Sequence, residues 1–169
     1  IMVDGLETGD PNKIRVKMID FGMSKFTQHG DKKINLTTYA GTLDFMAPEI
    51  LESQDYDLTC DIWSIGVITY FMLTGFPPFM GKDEADLVRK IVSCNYEFDE
   101  FIWKDFSPDA KVFVQRMLKH KSSQRMKPIV ALEHAWLRGP NSAVIEYPVH
   151  PHVMMNLGRS KNANELHYE

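Results

Sequence analysis

The first residues that could do chemistry are Asp20, Phe21 and Gly22, which directly follow the strand-like segment 14–19. A carboxylate at the end of a strand, followed by glycine, can hold a divalent cation against a phosphate. Mg²⁺ in particular takes oxygen ligands and keeps substrate phosphates as partners. The alternative is a plain turn in which Asp20 and Gly22 serve only turn geometry. The tripeptide alone does not decide between these two interpretations.

A second group, Ala47-Pro48-Glu49, follows after residues 23–46. Pro48 favours the start of a helix, and a carboxylate at that position can interact with the positive end of the helix dipole. A dipole role is the plain alternative for Glu49, and on this tripeptide alone it would be preferred.

The elements that must position these groups change in character along the chain. Two short segments that read as strands, 1–3 and 14–19, flank the turn-rich segment 4–13, so a β-hairpin is predicted. Residues 26–40 are polar and lack a periodic pattern, which predicts a long loop.

Helical signals dominate after Pro48, so the fold is predicted to be mainly α. Gly75 ends the most apolar of these segments, and Ser107-Pro108-Asp109 combines a hydroxyl cap, a proline and a first-turn acid at a helix start. The predicted helices are 49–52, 59–73, 83–92, 108–118 and 128–137.

Composition narrows the class of protein. The net charge of −4 gives no reason to expect a nucleic-acid or membrane partner, and the apolar stretch 62–73 is shorter than the ~20 residues that span a bilayer. Two cysteines, Cys60 and Cys94, lack metal-ligand spacing and favour a reducing compartment, so a cytoplasmic protein is expected. No signal peptide is visible, and the abrupt start predicts a fragment.

Taken together, the two tripeptides resemble the ends of the activation segment of protein kinases. Further motifs of that family follow in order, and the resemblance covers residue 1 to about 137. They are Asp61-Ile62-Trp63-Ser64-Ile65-Gly66, Gly75-Phe76-Pro77-Pro78-Phe79, Arg125, and His134-Ala135-Trp136-Leu137. The chain is similar to the calcium/calmodulin-regulated serine/threonine kinases, and especially to calcium-dependent protein kinases.

The resemblance implies the C-terminal lobe of a kinase, with a small β-hairpin and a bundle of helices around a central apolar helix. The lobe would span 1–140, and 141–169 would be a poorly ordered tail for which a regulatory role is one candidate. The glycine-rich loop, the ATP-binding lysine and the H-R-D loop are absent from these 169 residues. The chain by itself is therefore expected to be inactive, because ATP is held from both lobes.

At the nucleotide, the resemblance implies that Asp20 binds the Mg²⁺ that bridges the ATP phosphates. Met2 would lie under the adenine; the alternative is that Met2 is simply an apolar residue of a strand that packs in the core. Ile19 would lie behind the magnesium site. Phe21 would pack in the core, and Gly22 would allow the turn.

In the activation segment, Thr38 falls where related kinases carry an activating phosphothreonine, and Lys25 is placed to pair with that phosphate. An unmodified loop hydroxyl is the alternative for Thr38, and Thr37 and Tyr39 are poorer candidates. Thr42 marks serine/threonine kinases, and its hydroxyl would bridge to a catalytic aspartate outside this chain.

Three charged residues are expected to support the lobe. Glu49 and Arg125 would form a buried ion pair, because the arginine fork suits a carboxylate. Asp61 would accept backbone N–H bonds from the catalytic loop, so it would be costly if left buried without them. A first-turn acid is the alternative for Asp61.

The implied partners are protein substrates, the missing N-terminal lobe, and a calcium-sensing domain or calmodulin outside this chain. Phe71 stands where relatives that select arginine two residues before the target carry a glutamate, so little such selection is expected. A pseudokinase-like scaffold is the alternative function, and the intact Asp20 and Gly22 argue against it.

Overall fold

The computed structural model describes residues 2–4, 13, 15–22, 24, 28–29, 32–33 and 42–139. The chain divides into two compact units, residues 1–34 and 35–169, and each is described by itself.

The first unit contains the predicted β-hairpin. Strand β1, Met2–Asp4, pairs antiparallel with β2, Arg15–Lys17. This register places Asp4 opposite Arg15, a cross-strand arrangement of opposite charges that favours pairing.

The same unit contains a second, very short hairpin. Strand β3, Gln28–His29, pairs antiparallel with β4, Lys32–Lys33, inside the segment 26–40 that was predicted to be a loop. That prediction was wrong in part, since two-residue strands are too short to show alternation of apolar and polar residues. The intervening Gly30-Asp31 is a dipeptide type that favours two-residue hairpin connections.

The second unit is helical over 42–139, which confirms the mainly α prediction. Two 3₁₀ turns, Leu43–Phe45 and Ser122–Gln124, accompany the α-helices. The helices are α1 Pro48–Leu51, α2 Thr59–Thr74, α3 Glu84–Val92, α4 Glu100–Trp103, α5 Pro108–Met117, α6 Pro128–Leu132 and α7 Ala135–Arg138.

Helix α2 forms the centre of this unit. At the start of α2, the side chain of Asp57 accepts a hydrogen bond from the Thr59 backbone N–H at 2.9 Å. Gly75 ends the helix with φ of 76°, a left-handed conformation that glycine adopts without strain. Most of the large buried side chains of α2 join one core with those of neighbouring elements. The largest members of this core are Trp63, Val67, Tyr70, Phe79, Ile91, Trp103, Val114 and Leu118.

Two helix starts that the sequence did not predict are set by side-chain caps. Helix α4 was missed; the Asp99 side chain accepts from the Ile102 N–H at 3.0 Å and starts a helix too short to show periodicity. The helix predicted over 128–137 is two helices, because the His134 imidazole Nδ1 accepts from the Trp136 N–H at 3.2 Å and starts α7. None of the helices in the described ranges is long and apolar enough to cross a membrane.

The closest approach between α2 and α5 occurs at Gly66. A Cβ added at Gly66 would lie 2.8 Å from the Cβ of Met117 and 3.0 Å from Leu118 Cδ2. Gly66→Ala gains about 1 kcal/mol of helix preference, but overpacking a core contact costs about 1–3 kcal/mol. We therefore expect Gly66→Ala to lower the midpoint of urea unfolding.

Met72→Ala is the control, because Met72 is an exposed residue of the same helix. Its stability should stay within about 0.5 kcal/mol of the parent chain. A Gly66→Ala variant more stable than the parent would show that α2 and α5 do not need this close approach.

Candidate functional site

The backbone of Asp20 adopts an unusual conformation. Its φ of 63° lies in the left-handed region, which is uncommon for residues other than glycine and is often found at functional sites. The Gly22 backbone N–H donates to Asp20 Oδ1 at 3.2 Å, and a Cβ at Gly22 would crowd the same oxygen at 3.2 Å. A side chain at position 22 would therefore require this carboxylate oxygen to shift by a few tenths of an ångström.

The carboxylate of Asp20 is exposed, and a carboxylate can accept about four hydrogen bonds or ligand contacts. The bond from Gly22 uses one of them, which leaves acceptor capacity for a cation. A single carboxylate fits Mg²⁺, since this ion is commonly held by one or two carboxylates together with substrate phosphates. Within the described part of the chain, no group of three or more His, Cys, Asp or Glu side chains could form an all-protein metal site.

Apolar side chains around Asp20 are exposed. Phe21, which was expected to pack in a core, is 64% exposed, and Val16, Met18 and Ile19 are also exposed. The two-stranded hairpin that precedes Phe21 provides no core by itself. The expected packing of Phe21 therefore stays a prediction for the complete protein.

Several predicted site residues lie wholly or partly outside the described residues. Met2 lies in β1, as predicted, but its side chain lies outside the described set. Lys25, Thr38 and the tail 141–169 lie outside the described residues, as does most of the activation segment between Gly22 and Thr42. Their roles remain predictions.

The segment after Gly41 forms a tight turn ahead of Glu49. Thr42 is exposed and precedes the 3₁₀ turn Leu43–Phe45, which is closed by hydrogen bonds from the Phe45 N–H to Thr42 O and from the Met46 N–H to Leu43 O. The hydroxyl of Ser64 in α2 donates to the carbonyl of Phe45 at 2.8 Å. The turn is thus bonded to the central helix.

The expected ion pair between Glu49 and Arg125 is present and buried. Arg125 Nη1 donates to Glu49 Oε1 and Nη2 to Oε2, each at 2.6 Å, in a two-pronged arrangement. Glu49 is 8% exposed and Arg125 is 5% exposed. The pair joins the first turn of α1 to the segment that precedes α6.

The remaining N–H groups of Arg125 also have acceptors. Nε donates to the Lys119 carbonyl at 2.9 Å, Nη1 to the Thr59 carbonyl at 3.0 Å, and Nη2 to the His120 carbonyl at 3.2 Å. A guanidinium has five donor hydrogens, so all five are used. This matters because a buried charge is tolerated only when it is paired and hydrogen-bonded.

An aromatic side chain covers the same guanidinium. The Arg125 Cζ atom lies 5.1 Å from the centre of the Trp63 ring, which is within cation–π range. The Trp63 ring also stacks on the ring of Phe79, with 5.5 Å between the ring centres and an interplanar angle of 12°. The residues of three separate motifs therefore meet in one packed group.

The side chain of Asp61 lies in the first turn of α2 and is exposed. The expected cost of an unpaired buried charge does not arise here, because water reaches the carboxylate. Its neighbour Cys60 is partly buried, and burial, followed by the negative charges of Asp61 and Glu49, raises the pKa of this thiol to about 12. Cys60 is therefore protonated at neutral pH and is not an activated thiolate.

Sequence reasoning missed the role of Ser64 and the carbonyl groups around Arg125. Ser64 is a polar residue in a mainly apolar helix, which is a usable signal. The carbonyls of Thr59, Lys119 and His120 left no signal, because every residue type carries this group.

Comparison with known proteins agrees with this geometry. Residues 1–137 match the family model described as protein kinase domain, so the chain belongs to the protein kinase family.

Three named relatives match this chain with nearly the same sequence identity. The chain is 40% identical over 131 residues to "Myosin light chain kinase A" of Dictyostelium discoideum, covering 78% of this chain and 43% of that protein. It is 39% identical over 133 residues to "Calcium-dependent protein kinase 4" of Plasmodium berghei (strain Anka), covering 79% and 24%. For "Myosin light chain kinase 3" of Rattus norvegicus the identity is 39% over 124 residues, covering 73% and 15%. The chain thus spans less than half the length of these relatives.

Proposed function

We propose that this chain is the C-terminal lobe of a serine/threonine protein kinase, which transfers the γ-phosphoryl group of ATP to Ser or Thr of protein substrates. The observation that carries the proposal is the exposed carboxylate of Asp20, held in a left-handed turn by Gly22. It stands in a chain that belongs to the protein kinase family and has Ser/Thr kinase relatives.

Asp20 would hold the Mg²⁺ that accompanies ATP, and this ion would neutralise charge on the phosphates when bound. Met2 and Ile19 would contact the nucleotide side of the site. Thr42 would lie beside the catalytic aspartate of the complete enzyme, and a phosphate on Thr38 would order the segment between them through basic side chains such as Lys25.

The exposed apolar side chains of the first unit support a larger assembly. Val16 in β2, and Met18 and Phe21 just after β2, are exposed beside a hairpin that is marginal by itself, and a covering surface would bury them. We infer that the kinase N-terminal lobe and catalytic loop supply this surface, and that the 169 residues alone do not transfer phosphoryl groups. Residues 1–140 would then form the lobe and 141–169 a tail with a regulatory role.

The relatives suggest what the complete enzyme acts on and what controls it. Two of them are named as myosin light chain kinases and one as calcium-dependent, so a cytoskeletal protein substrate and control by a calcium-sensing domain or calmodulin are proposed. Phe71, a partly buried residue of α2, offers no charge to an arginine of the substrate, so little selection of arginine two residues before the target is proposed. We also propose a cytoplasmic location.

The test uses the complete product of the gene that encodes this chain, assayed with ATP, Mg²⁺ and a Ser/Thr peptide library. Asp20→Asn should reduce the rate of phosphoryl transfer by at least about 100-fold, because it removes the charge that holds the ion. Asp105→Asn, at an exposed position of the helical unit, should leave the rate unchanged.

An enzyme that keeps its rate with Asp20→Asn would contradict the proposal. A complete product that binds proteins but transfers no phosphoryl group would favour the scaffold alternative. The separate 169-residue chain should show no transfer above background.

A further inference from the structure

Ser64 is a polar residue in the second turn of the mainly apolar helix α2. Its hydroxyl donates at 2.8 Å to the carbonyl of Phe45, a residue 19 positions earlier in the chain. The carbonyl of Cys60, one helical turn back, lies 3.3 Å from the same oxygen. A serine hydroxyl has a single proton, so the shorter contact with Phe45 is the favoured bond.

The bond fixes a turn whose own hydrogen bonds do not connect it to the core. The N–H groups of Phe45 and Met46 donate to Thr42 O and Leu43 O at 3.1 Å and 3.0 Å, so they set only the internal shape of the turn. Its C-terminal end is held by buried Met46 and Ala47, whereas Thr42 at the other end is exposed. The hydroxyl of Ser64 adds a directional contact between α2 and this turn.

A hydroxyl at position 64 is not explained by the helix itself. Serine favours a helix interior less than alanine does, and a bond back to the carbonyl four residues earlier slightly destabilises a helix. The half-buried site would accept alanine by size. The contact with Phe45 is therefore the favourable interaction that the hydroxyl adds.

We propose that Ser64 is a positioning residue for the substrate-facing turn of residues 42–45. The segment 41–46 resembles the kinase loop that holds the substrate residue after the phosphorylated Ser or Thr. By holding the Phe45 carbonyl, Ser64 would set where Thr42 and Leu43 lie, and so it would sharpen selection of that substrate residue. This role rests on the proposed kinase function.

The hold on the turn can be measured in this chain without any activity. In Ser64→Ala, amide hydrogen exchange at Phe45 and Met46 should be about five-fold faster, which corresponds to the ~1 kcal/mol net contribution of one hydrogen bond. Ser64→Thr keeps a hydroxyl and should keep the exchange rates of the parent chain. Ser93→Ala is the matched control, because the Ser93 hydroxyl donates at 2.8 Å to Arg89 O within α3.

The effect on selectivity needs the complete kinase and two peptides that differ only in the residue after the acceptor. Ser64→Ala should reduce the ratio of the two kcat/KM values by up to about five-fold through the peptide KM, with the KM for ATP unchanged. Ser64→Thr and Ser93→Ala should both keep the parent ratio.

Each outcome decides a separate point. Unchanged amide hydrogen exchange at Phe45 and Met46 in Ser64→Ala would show that Ser64 does not hold the turn. Faster exchange with an unchanged ratio of the two kcat/KM values would show that Ser64 holds the turn but does not affect substrate selection. A complete protein that phosphorylates no peptide would refute the kinase function, while the exchange result would still decide whether Ser64 holds the turn.

Discussion

Replacing Glu49 by alanine is expected to lower the melting temperature of this chain by more than about 10 °C. The substitution leaves the guanidinium of Arg125 buried without its carboxylate, and breaking a buried ion pair in this way costs about 3–5 kcal/mol. For a helical unit of this size, each 1 kcal/mol shifts the melting temperature by roughly 4–8 °C. Thermal unfolding followed by circular dichroism at 222 nm measures the change.

The matched control is the exposed ion pair of Arg138 and Glu133. Its N–O distance is 2.7 Å, close to that of the buried pair, but the two side chains are 63% and 61% exposed. Glu133→Ala should change the melting temperature little, because exposed pairs contribute about 0–1 kcal/mol. Equal shifts for Glu49→Ala and Glu133→Ala would show that burial does not strengthen the role of Glu49.

A second variant separates the charge of Arg125 from its shape. In the Glu49→Ala background, Arg125→Met replaces the unpaired cation with an apolar side chain of similar length. This double variant should be more stable than Glu49→Ala alone, since a buried pair can often be exchanged for apolar groups at little cost. A double variant less stable than Glu49→Ala would show that the backbone carbonyls alone compensate the charge of Arg125.

Trp63→Ala is expected to destabilise the chain by a similar amount, about 3–5 kcal/mol. Trp63 is fully buried, stacks on Phe79 and lies over Arg125, so its loss leaves a cavity and uncovers the guanidinium. Urea unfolding should show a much lower midpoint. Phe101→Ala is the control, because the Phe101 ring is exposed and contacts the ammonium of Lys104 at 4.5 Å.

Trp63→Phe tests the contribution of the indole N–H. In the structure the Nε1 atom of Trp63 is buried without a hydrogen-bond partner, and an unsatisfied donor costs about 1–3 kcal/mol. Trp63→Phe removes this donor and keeps a ring, so it should be clearly more stable than Trp63→Ala. If the two variants unfold at the same urea concentration, the aromatic ring is not what stabilises this region.

The longer helices were predictable because their signals are local. Helix α5 begins at Pro108 with Ser107 as its cap, and α2 ends at Gly75, both as the sequence indicated. Helices α4 and α7 depend on single side-chain caps by Asp99 and His134. Helices of four residues carry too little periodicity to be recognised from it. The four-residue α1 was predicted only because Pro48 marks its start.

The sequence by itself determined the mainly helical fold, the kinase resemblance and the identities of Asp20, Glu49 and Arg125 as the residues of interest. Those conclusions depend on residue types and their order, which are present in the chain before it folds. Only the tertiary structure decided which backbone carbonyls surround Arg125 and that Ser64 reaches Phe45. The reason is physical: every residue carries a carbonyl group, so only folding selects the few that approach a given donor.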